Sequence, residues 1–221
     1  MDFVFMLTRR DQTVTDGLAV LDEIADVGLT HIGFKDVGVP PDVLDELNRR
    51  IKAMGATSYL EVVSTTPETC LRSAKVARDI GIDRLLGGTQ VDEVLAILKG
   101  SPTQYLPFPG RPHDHPTKLG GSADDVARDC ARFASLGCAG VDLLAYRATE
   151  APPLELVRAA RKTTPGVLLV AGGVGTVEQI RALAEAGADA FTVGSAIFDG
   201  SFSPTLGSTR ARVKAVLDAC A

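Results

Sequence analysis

One phrase recurs along this chain and constrains its fold more than any other feature of the sequence. Each copy consists of an amphipathic stretch, a glycine, a short gap and an apolar run, as in DVG-LTHIGF and EAG-ADAFTVG. Because the residue after the last turn of a helix often adopts a left-handed conformation, each glycine predicts a helix end followed by a strand. Clear copies lie at Gly28, Gly55, Gly81, Gly137 and Gly187, and looser ones at Gly100 and Gly166.

The stretches between the apolar runs contain the signals of helix starts. Thr66 is a capping residue placed before a proline in the first helical position. Ser122 and the acidic residue three positions later are close to a capping box. In Val177–Ala186, apolar residues recur at helical spacing. With an opening strand over Asp2–Thr8, the seven junctions predict eight strands that alternate with helices.

Eight such units with no break in composition predict a single (β/α)₈ barrel of the α/β class over residues 1–221. An open doubly wound sheet is the alternative, but no GxGxxG follows the first strand. In the barrel, active sites lie at the C-terminal ends of the strands and in the loops after them. We therefore expect the functional residues at that end of the barrel.

Charge and composition narrow the function. The net charge is -5 with no basic block, which argues against nucleic acid as a partner. The apolar run Phe3–Leu7 is far shorter than a signal-peptide core or a membrane span, so we expect a cytoplasmic protein with no membrane partner. The four cysteines show no CxxC pair and are predicted to be reduced thiols. The sequence allows a homo-oligomer but identifies no interface.

Two glycine pairs predict an anion site. Strand seven ends in VLLVAGGVGT and strand eight in FTVGSAIF, so Gly172-Gly173 and Gly194-Ser195 should lie side by side. Glycine lets backbone N–H groups approach an anion closely, and a following helix N-terminus adds its dipole. Phosphate frequently binds after strands seven and eight of this fold. We therefore predict that these four residues bind a phosphate group.

AGGV followed by AGADAFTVGSAIF resembles the closing signature of the ribulose-phosphate-binding, aldolase-type barrel superfamily. That group includes phosphosugar epimerases, isomerases of histidine and tryptophan biosynthesis, and aldolases. The resemblance implies a phosphorylated ligand at the glycine pairs but identifies no subgroup. Strands two and three lack the metal-binding histidines of the pentose-phosphate epimerases. Strand six lacks the Schiff-base lysine of the aldolases, and strand three lacks the Asp-x-Lys-x-x-Asp element of the decarboxylases.

The second strand, THIGFKDVG, ends in a lysine. Strand side chains alternate, so if Ile32 and Phe34 face the helices, Lys35 points into the barrel near its active end. By the same alternation Glu61 on strand three points inward beside Lys35. A structural ion pair is one interpretation, but desolvation makes buried pairs poor stabilisers, which favours a catalytic role for both residues.

The alternation also places Asp142, Leu144 and Tyr146 inward on strand six, which makes Asp142 a third catalytic candidate. Two mechanisms stay open for the lysine. A Schiff-base lysine must be neutral, which requires a lowered pKa. A neighbouring carboxylate raises the lysine pKa, and Lys35 would then be a charged group that stabilises an enolate, with Glu61 as the proton carrier.

The stretch from Pro107 to Gly121 has no periodicity and is predicted to be a long loop that acts as a lid or binding loop. His113 is a candidate acid/base residue there. Arg111, His115 and Lys118, with Arg9 after strand one, are predicted to bind the substrate. A solvated polar loop is the alternative. Adjacent ligands on one loop lack the spacing of a good metal site, so no metal is predicted.

The sequence thus predicts a lyase or isomerase, aldolase- or epimerase-like, that acts on a small phosphorylated carbonyl compound and needs no cofactor. An FMN-dependent oxidoreductase is one alternative, because similar glycine pairs can hold the flavin phosphate. A non-catalytic barrel that binds a phosphorylated metabolite is the other.

Overall fold

The computed structural model describes residues 1–63 and 66–220, which contain eight parallel strands in one sheet. The strands are β1 (Asp2–Met6), β2 (His31–Lys35), β3 (Thr57–Val62), β4 (Arg84–Gly87), β5 (Gln104–Leu106), β6 (Gly140–Leu143), β7 (Val167–Val170) and β8 (Ala190–Val193). Their order in the sheet is β6-β7-β8-β1-β2-β3-β4-β5.

Two backbone hydrogen bonds join the ends of this sheet. The N–H of Ala139 donates to the carbonyl of Tyr105, and the N–H of Asp142 donates to the carbonyl of Pro107, both at 3.0 Å. These bonds bring β6 against β5 and close the sheet on itself. The predicted (β/α)₈ barrel is confirmed.

Helices follow the strands and cover the outside of the barrel. Three of them have a proline in the first turn, and the helices over Ala123–Ser135 and Val177–Ala186 begin with capping boxes. Within the described ranges, none combines the length and apolar character needed to span a bilayer. The helices are α1 (Gly17–Ile24), α2 (Pro41–Ala53), α3 (Pro67–Ile80), α4 (Val91–Leu98), α5 (Ala123–Ser135), α6 (Pro153–Thr163), α7 (Val177–Ala186), α8 (Ser195–Phe198) and α9 (Thr209–Ala219).

Six of the seven repeat glycines have the positive φ angle predicted for a helix C-terminus. Gly166 is the exception, because α6 ends earlier, at Thr163, and Gly166 is not left-handed. A Cβ atom at Gly166 would overlap the backbone of Ala139. Glycine is needed there for close packing of two chain segments, so the predicted helix cap is wrong at this position.

The core consists of strand side chains inside the barrel and apolar stripes of helices outside it. In α5, for example, Val126, Cys130 and Phe133 recur at helical spacing and are buried against the barrel. All four cysteines are free thiols, and Cys70 and Cys130 are fully buried.

Two antiparallel hairpins extend the barrel at the active end. The first pairs Thr8–Arg9 with Gln12–Thr13 directly after β1. The second pairs Arg111–His113 with Lys118–Gly120 after β5. This second hairpin corrects the prediction of an irregular loop over Pro107 to Gly121. Strands of three residues are too short to produce a readable alternation in the sequence.

Candidate active site

A cavity of about 300 Å³ opens at the C-terminal ends of β1, β2, β3, β7 and β8. Charged side chains and glycine-rich turns line it, and the two sets meet where Arg147 packs against Gly172. The lining includes Thr8, Asp11, Lys35, Glu61, Arg147, Gly172, Gly173, Val174, Gly175, Thr192, Gly194, Ser195, Ala196, Asp199 and Ser201.

Lys35 is the last residue of β2 and points into the barrel, as the strand alternation predicts. Its side chain is only 6% exposed, and its Nζ lies 3.2 Å from Glu61 Oε1. The two residues are register partners on neighbouring parallel strands, which explains why their side chains meet. Nζ also donates a 2.8 Å hydrogen bond to Asp11 Oδ1.

Asp11 reaches Lys35 from the two-residue turn of the first hairpin. Arg10 and Asp11 form this turn and both have positive φ angles, 52° and 59°. Thr13 fastens the hairpin to the end of β2, because its hydroxyl donates to the Lys35 carbonyl and accepts from the Lys35 N–H, each at 2.8 Å. The turn therefore holds the Asp11 carboxylate, 4% exposed, inside the cavity.

Arg147 completes this charged cluster from the other side. It ends the 3-10 turn Ala145–Arg147 that follows β6. Its two Nη atoms each donate a 2.8 Å hydrogen bond to Asp11, and Nη1 also donates to the Thr117 carbonyl at 3.1 Å. The second hairpin thus contacts the cluster through one backbone carbonyl.

The surroundings of Lys35 and Asp11 shift the pKa of each toward its charged form. Burial acts to lower the pKa of Lys35, but the carboxylates of Glu61 and Asp11 outweigh it, and the net shift is upward. Burial acts to raise the pKa of Asp11, but hydrogen bonds from Arg147 and Lys35 hold it well below its usual range. Lys35 is therefore an ammonium group at neutral pH, which favours the charged-lysine mechanism over an imine.

Asp142 lies on β6 and is completely buried. Burial, reinforced by the charge of Glu61, raises the pKa of its carboxyl well above the ordinary value, against the opposing effect of Lys35 and Arg147. Neither of its side-chain oxygens has a hydrogen-bond partner among the described residues. Burial therefore favours the protonated form of the Asp142 carboxyl beside the cluster.

The prediction that strand six continues inward through Leu144 and Tyr146 is wrong. β6 ends at Leu143, and the chain turns into the 3-10 segment before Tyr146. Tyr146 is half-buried and packs against Gly173 instead, where a Cβ atom would lie 2.9 Å from the Tyr146 Cβ.

The glycine pairs also line the cavity. Gly172 and Gly173 have φ angles of 74° and 81°, and a Cβ at Gly194 would lie 2.6 Å from the Thr8 hydroxyl. Ser195 and Ala196 begin α8, so their N–H groups have no acceptor within that helix. Because α8 is a single turn, its dipole is small. An anion at these turns would interact mainly with backbone N–H groups, not with the helix dipole that the sequence suggested.

Several predicted residues lie outside the cavity lining. Arg111 pairs with Glu150 at 2.6 Å, and His113 and Lys118 contact Asp114 at 3.3 and 3.2 Å. His115 and Arg9 are exposed and also lie outside the lining.

Within residues 1–63 and 66–220, no group of three or more acidic, histidine or cysteine side chains could hold a metal ion.

Comparisons with known proteins agree with this architecture. A family model described as "Histidine biosynthesis protein" matches residues 141–203, the segment that contains both glycine pairs. Orotidine 5'-phosphate decarboxylase from Pyrococcus horikoshii superposes with a TM-score of 0.66 over 99% of this chain and 98% of that one, at 16% identity. The native KDPGal structure gives a TM-score of 0.68 over 99% and 96% of the two chains, at 14% identity.

The chain has the fold of the ribulose-phosphate-binding, aldolase-type barrels. The resemblance of its closing segment to that superfamily is confirmed at the level of the fold. The tryptophan synthase alpha chain from Legionella pneumophila also superposes, with a TM-score of 0.65 over 99% and 89% of the chains at 13% identity. Inosine-5'-monophosphate dehydrogenase from Staphylococcus saprophyticus is 40% identical over 96 residues, 41% of this chain. The chain spans about a fifth of that relative's length, since the match covers 20% of it.

Two charged residues of the cavity are absent from the sequence predictions. In the sequence, Asp11 lies in a short polar segment after strand one. Arg147 lies in a segment that is predicted to continue strand six. No sequence signal marks either residue, because the positive φ angles of the Arg10-Asp11 turn are visible only in the structure.

Proposed function

We propose that this chain is an enzyme, a lyase or isomerase that acts on a small phosphorylated carbonyl compound. One observation carries the proposal. A buried, charged lysine, held between two carboxylates, shares a cavity of about 300 Å³ with the paired glycine turns after β7 and β8.

The phosphate group would bind at the glycine turns. Because Gly172, Gly173 and Gly194 have no Cβ, other residues pack closely against these turns, and at Gly172 the neighbour is the side chain of Arg147. Backbone N–H groups of the turns, with this cation beside them, suit an anion. Two of the relatives carry a phosphate in their names, orotidine 5'-phosphate decarboxylase and inosine-5'-monophosphate dehydrogenase. The matched family segment, 141–203, also contains both turns.

The carbonyl group would then lie over the charged cluster. The Lys35 ammonium would donate a hydrogen bond to the carbonyl oxygen and stabilise the negative charge that develops there. Glu61 would accept the proton from the adjacent carbon, and the electron pair of the C–H bond would form the enolate. Return of that proton to the former carbonyl carbon, with transfer of the hydroxyl proton from the second oxygen to the first, completes an isomerisation. In a lyase, Glu61 would instead take the proton of the β-hydroxyl group as the C–C bond breaks, which releases an aldehyde and leaves an enolate. The same proton would then be returned to the enolate carbon.

The size and polarity of the cavity favour this proposal over a flavin enzyme. About 300 Å³ is at the lower end of ligand pockets. The lumen below the glycine turns contains charged side chains, whereas an isoalloxazine ring needs a broad apolar surface. A yellow colour with flavin absorbance on purification would support the alternative.

The test has two measurements on the same panel of phosphorylated aldehydes and ketones. Thermal shift reports binding, because a ligand of the native state raises the unfolding midpoint by mass action. Proton NMR in D₂O reports exchange of the hydrogen adjacent to the carbonyl. We expect at least one compound to bind and exchange with wild type, and Glu61→Gln to bind it without exchange. The exposed Glu68→Gln is the matched control and should behave as wild type.

The outcomes separate the candidate functions. Binding without exchange or cleavage by wild type would favour a non-catalytic barrel. Absence of binding by any phosphorylated compound would contradict the proposal. Borohydride reduction in the presence of the bound carbonyl compound should leave Lys35 unmodified, and a covalent adduct there would overturn its role as a charged group.

A further inference from the structure

The charged side chains in contact at the cavity balance one another in number. Lys35 contacts two carboxylates, Asp11 at 2.8 Å and Glu61 at 3.2 Å. Arg147 donates two 2.8 Å hydrogen bonds to Asp11. Two cations therefore face two carboxylates in direct contact, and neither cation is left over for a ligand.

The other ionisable groups at the cavity add no positive charge. Asp142 lies buried next to this cluster, and Asp199 lines the rim, where it accepts hydrogen bonds from Ser201. Among the described residues that line the cavity, Lys35 and Arg147 are the only basic side chains. Arg10 contacts Ser195 through its backbone N–H, and its side chain is exposed outside the lining.

A second anionic group on the substrate would be unfavourable in this lumen. A carboxylate placed beside Lys35 would lose its hydration and gain no unpaired cation, while it approached Asp11 and Glu61. A carbonyl or hydroxyl oxygen, in contrast, can accept a hydrogen bond from the Lys35 ammonium without separating either ion pair. The phosphate is different because it would lie at the glycine turns, where it would meet backbone N–H groups and the side chain of Arg147, which packs against Gly172.

We infer that the substrate carries its negative charge on the phosphate alone and that its reacting end is uncharged. The reacting end is then an aldehyde or ketone flanked by hydroxyls, not a keto acid or other carboxylate. This inference rests on the proposed function and narrows its substrate class.

A matched pair of compounds tests it by isothermal titration calorimetry. Glycerol 3-phosphate and 3-phosphoglycerate share three carbons and a phosphate, and differ in a hydroxymethyl group against a carboxylate. We expect wild type to bind glycerol 3-phosphate at least about ten-fold more tightly, because the carboxylate is desolvated without a counter-charge. Inorganic phosphate is the third probe and reports the glycine turns alone.

Two variants should change this preference. Asp11→Asn and Glu61→Gln each remove one carboxylate and leave one positive charge in excess. Each should raise the affinity for 3-phosphoglycerate relative to glycerol 3-phosphate by about ten-fold or more. Either variant suffices if the other does not fold. The control is Asp22→Asn, which also removes a carboxylate from an arginine, Arg50, but on the surface, and should leave the preference unchanged.

The results distinguish a failure of this inference from a failure of the proposed phosphate site. Equal or tighter binding of 3-phosphoglycerate by wild type overturns the inference and leaves the proposed phosphate site standing. Absence of binding by all three probes rejects the phosphate site of the proposed function and the inference with it. A preference that stays unchanged in both folded variants shows that charge balance does not set it, which also overturns the inference.

Discussion

Arg147 and Asp11 are joined by two parallel hydrogen bonds of 2.8 Å, although 136 positions separate them in the chain. A guanidinium matches a carboxylate best in this two-pronged geometry. The pair connects the hairpin after β1 to the turn after β6, across the mouth of the barrel. It thereby fixes the position of the carboxylate that holds Lys35.

Substitution Asp11→Asn should lower the free energy of unfolding by about 2 kcal/mol at neutral pH. Asparagine tolerates the same positive φ angle, so the loss comes from one buried cation, Lys35, and one half-buried cation, Arg147, that share one fewer counter-charge. Urea denaturation measures it. The surface variant Asp22→Asn should change stability by less than about 0.5 kcal/mol.

The pH dependence of that loss has a defined sign. The pKa of Asp11 is lower in the folded protein than in the unfolded chain. Its stabilisation is therefore fully present above the ordinary aspartate pKa of about 4 and is lost as the pH falls toward the folded value. The difference between wild type and Asp11→Asn should shrink in acid. A constant difference from pH 7 to pH 3 would contradict this account of the pair.

The turn that presents Asp11 has a conformational cost that Arg10→Gly should remove. Arg10 has a φ angle of 52°, which a residue with a Cβ adopts at a cost of about 1 kcal/mol. After allowance for the backbone entropy of glycine, we expect Arg10→Gly to raise the free energy of unfolding by about 0.5 kcal/mol. Arg9→Gly, one residue earlier and in the strand, should lower it. Destabilisation of similar size by both would show that the turn is not strained.

Asp142 should make the protein less stable as the pH rises. Its folded pKa is raised, so its contribution is fully present below the ordinary value of about 4 and is lost as the pH rises through the folded pKa. Between those two values the slope is about 1.4 kcal/mol per pH unit. Asp142→Asn removes the ionisation, and the stability of this variant relative to wild type should increase with pH. Parallel stability curves for the two proteins would show that Asp142 ionises freely.

Gly173→Ala tests the anion site by geometry. Gly173 has a φ angle of 81°, and an added Cβ would lie 2.9 Å from the Tyr146 Cβ. We expect at least about a ten-fold loss of affinity for inorganic phosphate and a destabilisation of about 2 kcal/mol. Gly207→Ala is the matched control, because nothing lies within 4 Å of the position that its added methyl group would take and its φ angle is not positive. Unchanged phosphate affinity in a folded Gly173→Ala protein would move the anion site elsewhere.

Local patterns in the sequence were enough to predict the fold and half of the candidate site. Helix ends, capping residues and strand alternation are local properties, so the repeated glycine phrase was enough to predict eight strands and helices. Parallel strands of a closed barrel also have a near-constant register. For that reason alternation on two neighbouring strands sufficed to predict the contact between Lys35 and Glu61, and the two glycine pairs could be placed side by side.

The remaining contacts of the site depend on parts of the chain that are distant in sequence. Arg147 meets Asp11 because two loops from distant strands converge over the mouth, and no local pattern encodes where a loop side chain ends. The same reason explains why His113 and Lys118, plausible from residue type alone, lie outside the cavity lining. The charge of Lys35 also depends on the tertiary structure, because its second carboxylate, Asp11, comes from a separate loop. A pKa depends on every charge within a few ångströms, whatever its position in the chain.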